Sequence, residues 1–271
     1  MNKDEKPGEK EMIHEKIVVP GELPRVSRYR LLKLLEQNLT LYNATIINGR
    51  AGCGKTLLAT DFARHTRRAV AWYKVDSADN DFRVFSKYLL ASIGLRRPAF
   101  EKAHLLKLAE AMTSDNAAIL AEALVFQMSE TPADPLLIII EDLHLVYDSD
   151  WVVPFFRRLL PLLPVDLHLL ITCRSMPPAP LWRLRSKQML RVLDEVEIAF
   201  TFDEAVDLFK TYGLGEEHAR LALRRTNGRA SMIASFADMP GCAGRALADS
   251  LLEIKRAGYG SLPMPVSDFQ T

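Results

Sequence analysis

Residues Gly49-Arg50-Ala51-Gly52-Cys53-Gly54-Lys55-Thr56 satisfy the pattern G-x-x-x-x-G-K-[ST] in full. Each residue type has a chemical reason. Glycines let successive backbone N–H groups turn inward around phosphate oxygens, where a Cβ would clash. A helix that begins as the loop ends adds free N–H groups and the positive end of its dipole. Lys55 sets an ammonium against the β and γ phosphates, and the Thr56 hydroxyl is positioned to ligate Mg²⁺. The whole loop, Gly49 through Thr56, is therefore the expected contact set for ATP and Mg²⁺. Cys53 reads as a variable loop position without a redox role. Further along, the apolar run Leu136 to Ile140 leads straight into Glu141-Asp142. An acid at such a strand end orients the Mg²⁺ shell in P-loop enzymes, and an adjacent acid can orient or deprotonate the attacking water. Consecutive strand residues point to opposite sides, so the two carboxylates are expected not to compete for one place. A further run, Leu167 to Thr172, ends in Cys173-Arg174, where a fixed positive charge can reach a γ phosphate and distinguish ATP from ADP. His144 reads as structural.

These residues need strands that end together and helices that start there. Ala44 to Asn48 is a β-branched run immediately before the loop, and Thr56 to His65 has helical apolar spacing. Ala69 to Val75 is a second strand, followed by helices over Phe82 to Ile93 and Ala117 to Met128. Leu136 to Ile140 is continuous and branched, as expected in a parallel sheet covered on both faces. Trp151 to Leu163 reads as a helix, Leu167 to Thr172 as the fourth strand and Val192 to Ala199 as the fifth. Alternating strand and helix imply an α/β fold, a three-layer parallel sheet of the P-loop NTPase type over residues 16–200. Thr201-Phe202-Asp203-Glu204 is a capping-box signature that opens a helix through Tyr212. Helical spacing alone follows from Glu216 to Lys255, broken near Asn227-Gly228 and Pro240-Gly241. A small all-helical subdomain over 201–257 is the expectation, between charged and Gly/Pro-containing tails at 1–15 and 258–271.

Composition excludes several classes. The chain has 271 residues with Lys plus Arg 35 against Asp plus Glu 34, a net charge of +1, which is not the balance of a strongly basic nucleic-acid binder. Three cysteines without C-x-x-C spacing and six scattered histidines give neither a disulfide framework nor a metal site. No apolar run is long enough for a bilayer and the N-terminus lacks a signal-peptide core, so the expected location is the cytoplasm without membrane contact.

Several segments taken together resemble the STAND class of P-loop ATPases, specifically the MalT-type regulators. Val26-Ser27-Arg28-Tyr29-Arg30-Leu31-Leu32 resembles their segment upstream of the phosphate loop, whose arginine lies near the nucleotide. Trp72 through Asp76, then Asp79-Asn80-Asp81 and Phe85, resembles their tryptophan strand and following helix start. Ile138 through His144 resembles their hhhDD-x-H signature. Arg174, Pro177-Pro178, Leu181, Arg183-Leu184-Arg185 and Phe200-Thr201 with Glu204-Ala205 follow in the family's order, and the likeness spans roughly residues 16 to 235. It implies that Glu141 is the Mg²⁺-linked acid, Asp142 the acid near the attacking water, Arg174 the γ-phosphate sensor and Arg28 a nucleotide contact. Three departures stand out. The first acid is glutamate where aspartate is commoner, and the family's G-x-P element appears as Gly228-Arg229-Ala230. These regulators also continue into a long sensor and a helix-turn-helix, and no DNA-reading helix pair is expected after Gly258.

The resemblance implies an ATP-binding, slowly hydrolysing switch in signal-responsive transcriptional regulation, acting through a protein partner or self-association, without direct DNA binding. Two alternatives stay open: a catalytic ATPase or small-molecule phosphotransferase, with Arg96 and Arg97 as lid arginines, and a non-hydrolysing module that nucleotide stabilises. The basic pairs Arg67-Arg68, Arg157-Arg158 and Arg224-Arg225 read as solvated helix faces.

Overall fold

A computed structural model of the chain describes residues 12–111, 116–130 and 134–238. The chain divides into two compact units, residues 1–199 and 200–271. Five parallel strands form the sheet of the first unit: β1 Ala44–Asn48, β2 Ala69–Lys74, β3 Leu136–Glu141, β4 Leu167–Cys173 and β5 Leu190–Leu193. Their spatial order is β2-β3-β4-β1-β5. β4 therefore stands between the strand that feeds the phosphate loop and the strand that ends in Glu141.

The helices of this unit are α1 Tyr29–Leu41, α2 Lys55–His65, α3 Phe82–Gly94, α4 Lys102–Ala111, α5 Ala117–Glu130, α6 Val152–Leu162 and the single turn α7 Ala179–Trp182. They form two layers because alternate strand residues need apolar cover on opposite faces. Leu137, Ile139, Ile47 and Trp72 pack with Leu31, Leu35, Leu58 and Phe62 of α1 and α2. Leu136, Ile138, Ile140 and Ile46 pack on the other face with residues of α3, α4, α5 and α6. An aromatic nest fills that face: Phe85 and Trp151 have ring centroids 4.4 Å apart, with Phe82, Phe155 and Phe156 around them. The Trp151 indole N–H donates to the Asn80 carbonyl at 2.7 Å, so the nest strands no donor there.

Helices α1 and α4 have no counterpart in the sequence reading. The fifth strand runs over Leu190–Leu193 and not Val192 to Ala199. It ends because the Asp194 carboxylate takes the N–H groups of Val196 and Glu197 at 2.9 and 3.0 Å, which turns the chain out of the sheet. Of the N-terminal stretch read as a charged tail, residues 1–11 lie outside the described residues. Residues 14–17 form a 3-10 turn whose Lys16 is buried, 2.6 Å from Asp79 and 3.0 Å from Asp76, with its ammonium 4.3 Å from the centre of the Tyr88 ring.

The second unit contains α8 Phe202–Lys210, α9 Glu216–Thr226 and α10 Ala230–Asp238. Thr201 and Glu204 form a reciprocal capping box, each accepting the other's backbone N–H. Asn227 (φ 50°) and Gly228 (φ 76°) stop α9 in left-handed conformations. The helical spacing read beyond Asp238, the break at Pro240-Gly241 and the 258–271 tail lie outside the described residues. Among the described residues no helix is long and apolar enough to cross a membrane.

One buried polar group carries a stability prediction. His168 lies inside the sheet, its Nδ1–H donating to the Tyr42 carbonyl at 2.9 Å and its Nε2 accepting from the Thr45 hydroxyl at 3.1 Å. A carbonyl can only accept, so the neutral tautomer is fixed with both nitrogens satisfied. Burial pushes its pKa from 6.5 down to about 4. Between those values the unfolded chain binds the proton and the folded chain does not, so stability rises with pH there. Stability is therefore complete above pH 6.5 and is lost as pH falls toward 4, by an amount on the order of 3 kcal/mol. Urea unfolding at stepped pH should show this slope, and His168→Gln should flatten it. An equal slope in the variant refutes the assignment.

Candidate functional site

The carboxyl ends of β1, β4 and β3 stand side by side, the edge at which open α/β sheets bind ligands. Asn48 ends β1 and the chain turns at once into the glycine loop. Gly52 (φ 81°) and Gly54 (φ 83°) adopt left-handed conformations that a side chain would strain, and Gly54 caps α2 directly. The loop is also anchored to the sheet: the Gly49 N–H donates to the Cys173 carbonyl at 3.2 Å. Cys53 is buried and packs where a Cβ on Gly49 would come within 3.2 Å of its sulfur, so residue 49 has little room for a side chain.

Lys55 begins α2 and folds its ammonium back onto the loop, donating to the carbonyls of Gly49 at 2.6 Å and Arg50 at 3.0 Å. Burial lowers its pKa. The neighbouring Thr56 hydroxyl donates to Glu141 Oε1 across the sheet edge. Glu141 closes β3, is 2% exposed, and its other carboxylate oxygen has no hydrogen-bond partner. Burial raises its pKa against the opposing effect of the Thr56 hydrogen bond. A buried carboxylate oxygen left open beside a hydroxyl suits a hard divalent cation, which takes oxygen ligands. Thr56 and Glu141 are thus the residues able to hold Mg²⁺, directly or through its water.

Asp142 departs from the strand. It has φ 57° and ψ 34°, so Glu141 and Asp142 diverge through a left-handed turn and not through strand alternation as the sequence reading had it. Thr172 of β4 accepts the Asp142 N–H at 3.1 Å and holds that turn. The Asp142 carboxylate lies 3.7 Å from Arg174 Nε and 3.7 Å from His144 Nδ1. His144 is partly buried and its pKa is lowered by burial, which favours the neutral ring. A cavity of about 220 Å³ opens over these groups, lined by Ala51, Gly52, Gly54, Lys55, Thr56, Leu57, Asp142 and Arg174.

Two sequence-selected residues work elsewhere than in this cavity. Arg28 is buried at the N-terminus of α1 and donates to the Ile198 carbonyl at 2.6 Å. Arg50 points its guanidinium at Glu195, with Nη2 to Oε1 at 2.9 Å. Arg97, considered as a lid arginine, is 4% exposed and holds the Met128 and Asp134 carbonyls and the Asp166 carboxylate, so it is committed to packing. Arg96 lines a different cavity with Arg64 and Arg68. Arg158, one of the paired arginines, bonds Glu122 at 2.5 Å. Sequence reasoning passed over Thr172 and Glu195. Thr172 carried a faint signal as a hydroxyl at the end of an apolar strand; Glu195 carried none.

The HTH-type transcriptional regulator MalT of Serratia proteamaculans is 30% identical over 203 residues, covering 71% of this chain and 22% of that protein. MalT of Yersinia enterocolitica is 31% identical over 205 residues, with the same coverage of each. The chain carries a MalT-like P-loop NTPase domain. It spans about a fifth of the length of these MalT relatives, at 22%. No family model matches it. Among solved structures, the Walker-type ATPase PABY2304 of Pyrococcus abyssi shares 14% identity at a TM-score of 0.48, covering 85% of this chain and 76% of that one. A likeness of that degree carries no argument about activity. Loop residues, the Thr56 hydroxyl, Asp142 and Arg174 line one cavity, and the buried Glu141 bonds to Thr56 at its edge.

Thr172→Val tests how Asp142 is held. It keeps the side-chain shape and removes the acceptor of the Asp142 N–H, so a loss of about 1–2 kcal/mol in urea unfolding is expected. A variant as stable as the parent means that this bond does not secure the turn.

Proposed function

We propose that the domain is an ATP-operated switch of the STAND type, binding ATP with Mg²⁺ through residues 49–56 and hydrolysing it slowly. It would act in the cytoplasm, in transcriptional regulation, through a protein partner or self-association. The residues 16–200 would form the nucleotide-binding domain, with residues 201–257 as its second subdomain. The observation that carries this reading is the Thr56–Glu141 contact, with an open buried carboxylate oxygen, under a cavity walled by Lys55, Asp142 and Arg174.

Each group has a task in that scheme. Mg²⁺, held by Thr56 and Glu141, would supply charge neutralisation of the phosphates. Lys55 leaves the loop carbonyls for the β and γ phosphates. Asp142 orients a water and takes its proton as the water oxygen bonds to the γ phosphorus and the bond to the ADP oxygen breaks. Arg174 faces Asp142 at 3.7 Å, so a γ phosphate competes with that carboxylate for the arginine. ADP cannot compete in this way, and this is the differential contact that a two-state switch requires.

Fluorescent ATP and ADP titrations with and without Mg²⁺, joined to single-turnover hydrolysis, test the reading. Lys55→Ala should weaken ATP binding about 10- to 100-fold, the loss of a charge-assisted contact. Asp142→Asn should keep binding and slow hydrolysis about 100-fold or more. Asparagine tolerates the left-handed backbone, so this change isolates the carboxylate. Absence of nucleotide binding by the parent chain sinks the proposal, and equal ATP and ADP affinities sink its switch component.

A further inference from the structure

The loop residue Arg50 is gripped from two directions. Its carbonyl accepts the Lys55 ammonium at 3.0 Å. Its guanidinium meets the Glu195 carboxylate, Nε to Oε2 at 3.0 Å and Nη2 to Oε1 at 2.9 Å, and its backbone N–H approaches Oε2 at 3.5 Å. Arg50 holds the Glu195 carboxyl down at about 2, so the pair stays charged at any working pH. The contact spans 145 residues of sequence and joins the loop to the stretch that follows β5.

That stretch, 194–199, is the last part of the first unit before the chain passes into the second at Phe200. It has few apolar anchors, Ile198 being the buried one, and is otherwise pinned by arginines. Arg28 holds the Ile198 carbonyl, Arg30 holds those of Glu197 and Ala199 at 2.9 and 3.1 Å, and Arg191 pairs with the Glu197 carboxylate. Arg50 is the one among these four that belongs to the phosphate loop.

We propose that Glu195 is a positioning residue that couples the state of the phosphate loop to residues 194–199, the connection to the helical unit. This rests on nucleotide binding by the loop. A phosphate that draws the Lys55 ammonium away releases the Gly49 and Arg50 carbonyls, and the rearranged Arg50 shifts its pull on Glu195. Arg28, just before α1, and Arg30 within it hold the far end of the stretch, so the displacement is taken up between Asp194 and Glu197. The bonds at risk there are the Val196 and Glu197 N–H groups on the Asp194 carboxylate.

Amide hydrogen exchange on the full chain, with and without Mg²⁺-ATP, reads this directly, with ATP affinity measured on the same samples. In the parent chain, ATP should change exchange both in the loop and at Val196 and Glu197. In Glu195→Gln, the loop should still respond and ATP should still bind, within about fivefold of the parent affinity, as one partly exposed pair allows. The response at Val196 and Glu197 should vanish. A merely structural role would instead raise exchange at 196–197 by the same amount with and without ATP, leaving the ATP response in place. An unchanged response at 196–197 in Glu195→Gln, or no response there in a parent chain that binds ATP, overturns the coupling while leaving nucleotide binding intact. No ATP binding by the parent chain removes the nucleotide reading, and the coupling with it.

Discussion

The parallel sheet is buried on both faces, and the rest of the first unit follows from that constraint. Unpaired polar groups are costly on either face, since each is covered by helices whose apolar residues interlock with the strand side chains. Chemistry is therefore confined to the strand ends. With β4 between β1 and β3, the glycine loop, Arg174 and Glu141 are brought to a common edge without any local sequence relationship. The aromatic nest beneath α3 and α6 and the α1–α2 layer opposite keep that edge in register.

The most deeply buried charged and titratable groups inside this frame are met by specific partners. His168 sits between β4 and β1 with a hydroxyl and a carbonyl arranged for its neutral form. Lys16 lies against Asp79 and Asp76, fixing the residues before α1 to the turn between β2 and α3. Glu141 differs from both, because one of its oxygens is satisfied by Thr56 and the other is left open in a buried position. An unsatisfied buried oxygen is costly unless something else completes it. The cation that would complete it is the one the loop chemistry calls for.

The site is not sealed within itself. Lys55, Arg50 and Glu195 form a continuous run of polar contacts from the cavity to the residues that precede the helical unit. Arg174 and Asp142 form a second such contact in the cavity lining. In each case a cation now held by protein oxygens is one that phosphate oxygens can claim. On the proposed reading, occupancy of the cavity would have two places at which to alter the protein around it.

The local features were legible in the sequence because they depend on local physics. Glycines that need positive φ, a lysine and a threonine opening a helix, apolar runs with two-sided burial and the Thr201–Glu204 box are all set by neighbours within a few residues. The strands came out within a residue or so for β1 to β4 for that reason. The fifth strand did not, since its end is decided by the Asp194 turn and by pairing with β1. Helix α1 was hidden within a stretch recognised only by likeness. Asp142 looked like a strand residue until the Thr172 hydroxyl, 30 residues away, was seen to hold it in a left-handed turn. The partners of Arg28 and Arg50 lie 170 and 145 residues along the chain. The sequence by itself determined which groups exist and which short segments present them. Only the tertiary structure decided which groups meet, because strand order and chain crossing bring together residues that no local propensity relates.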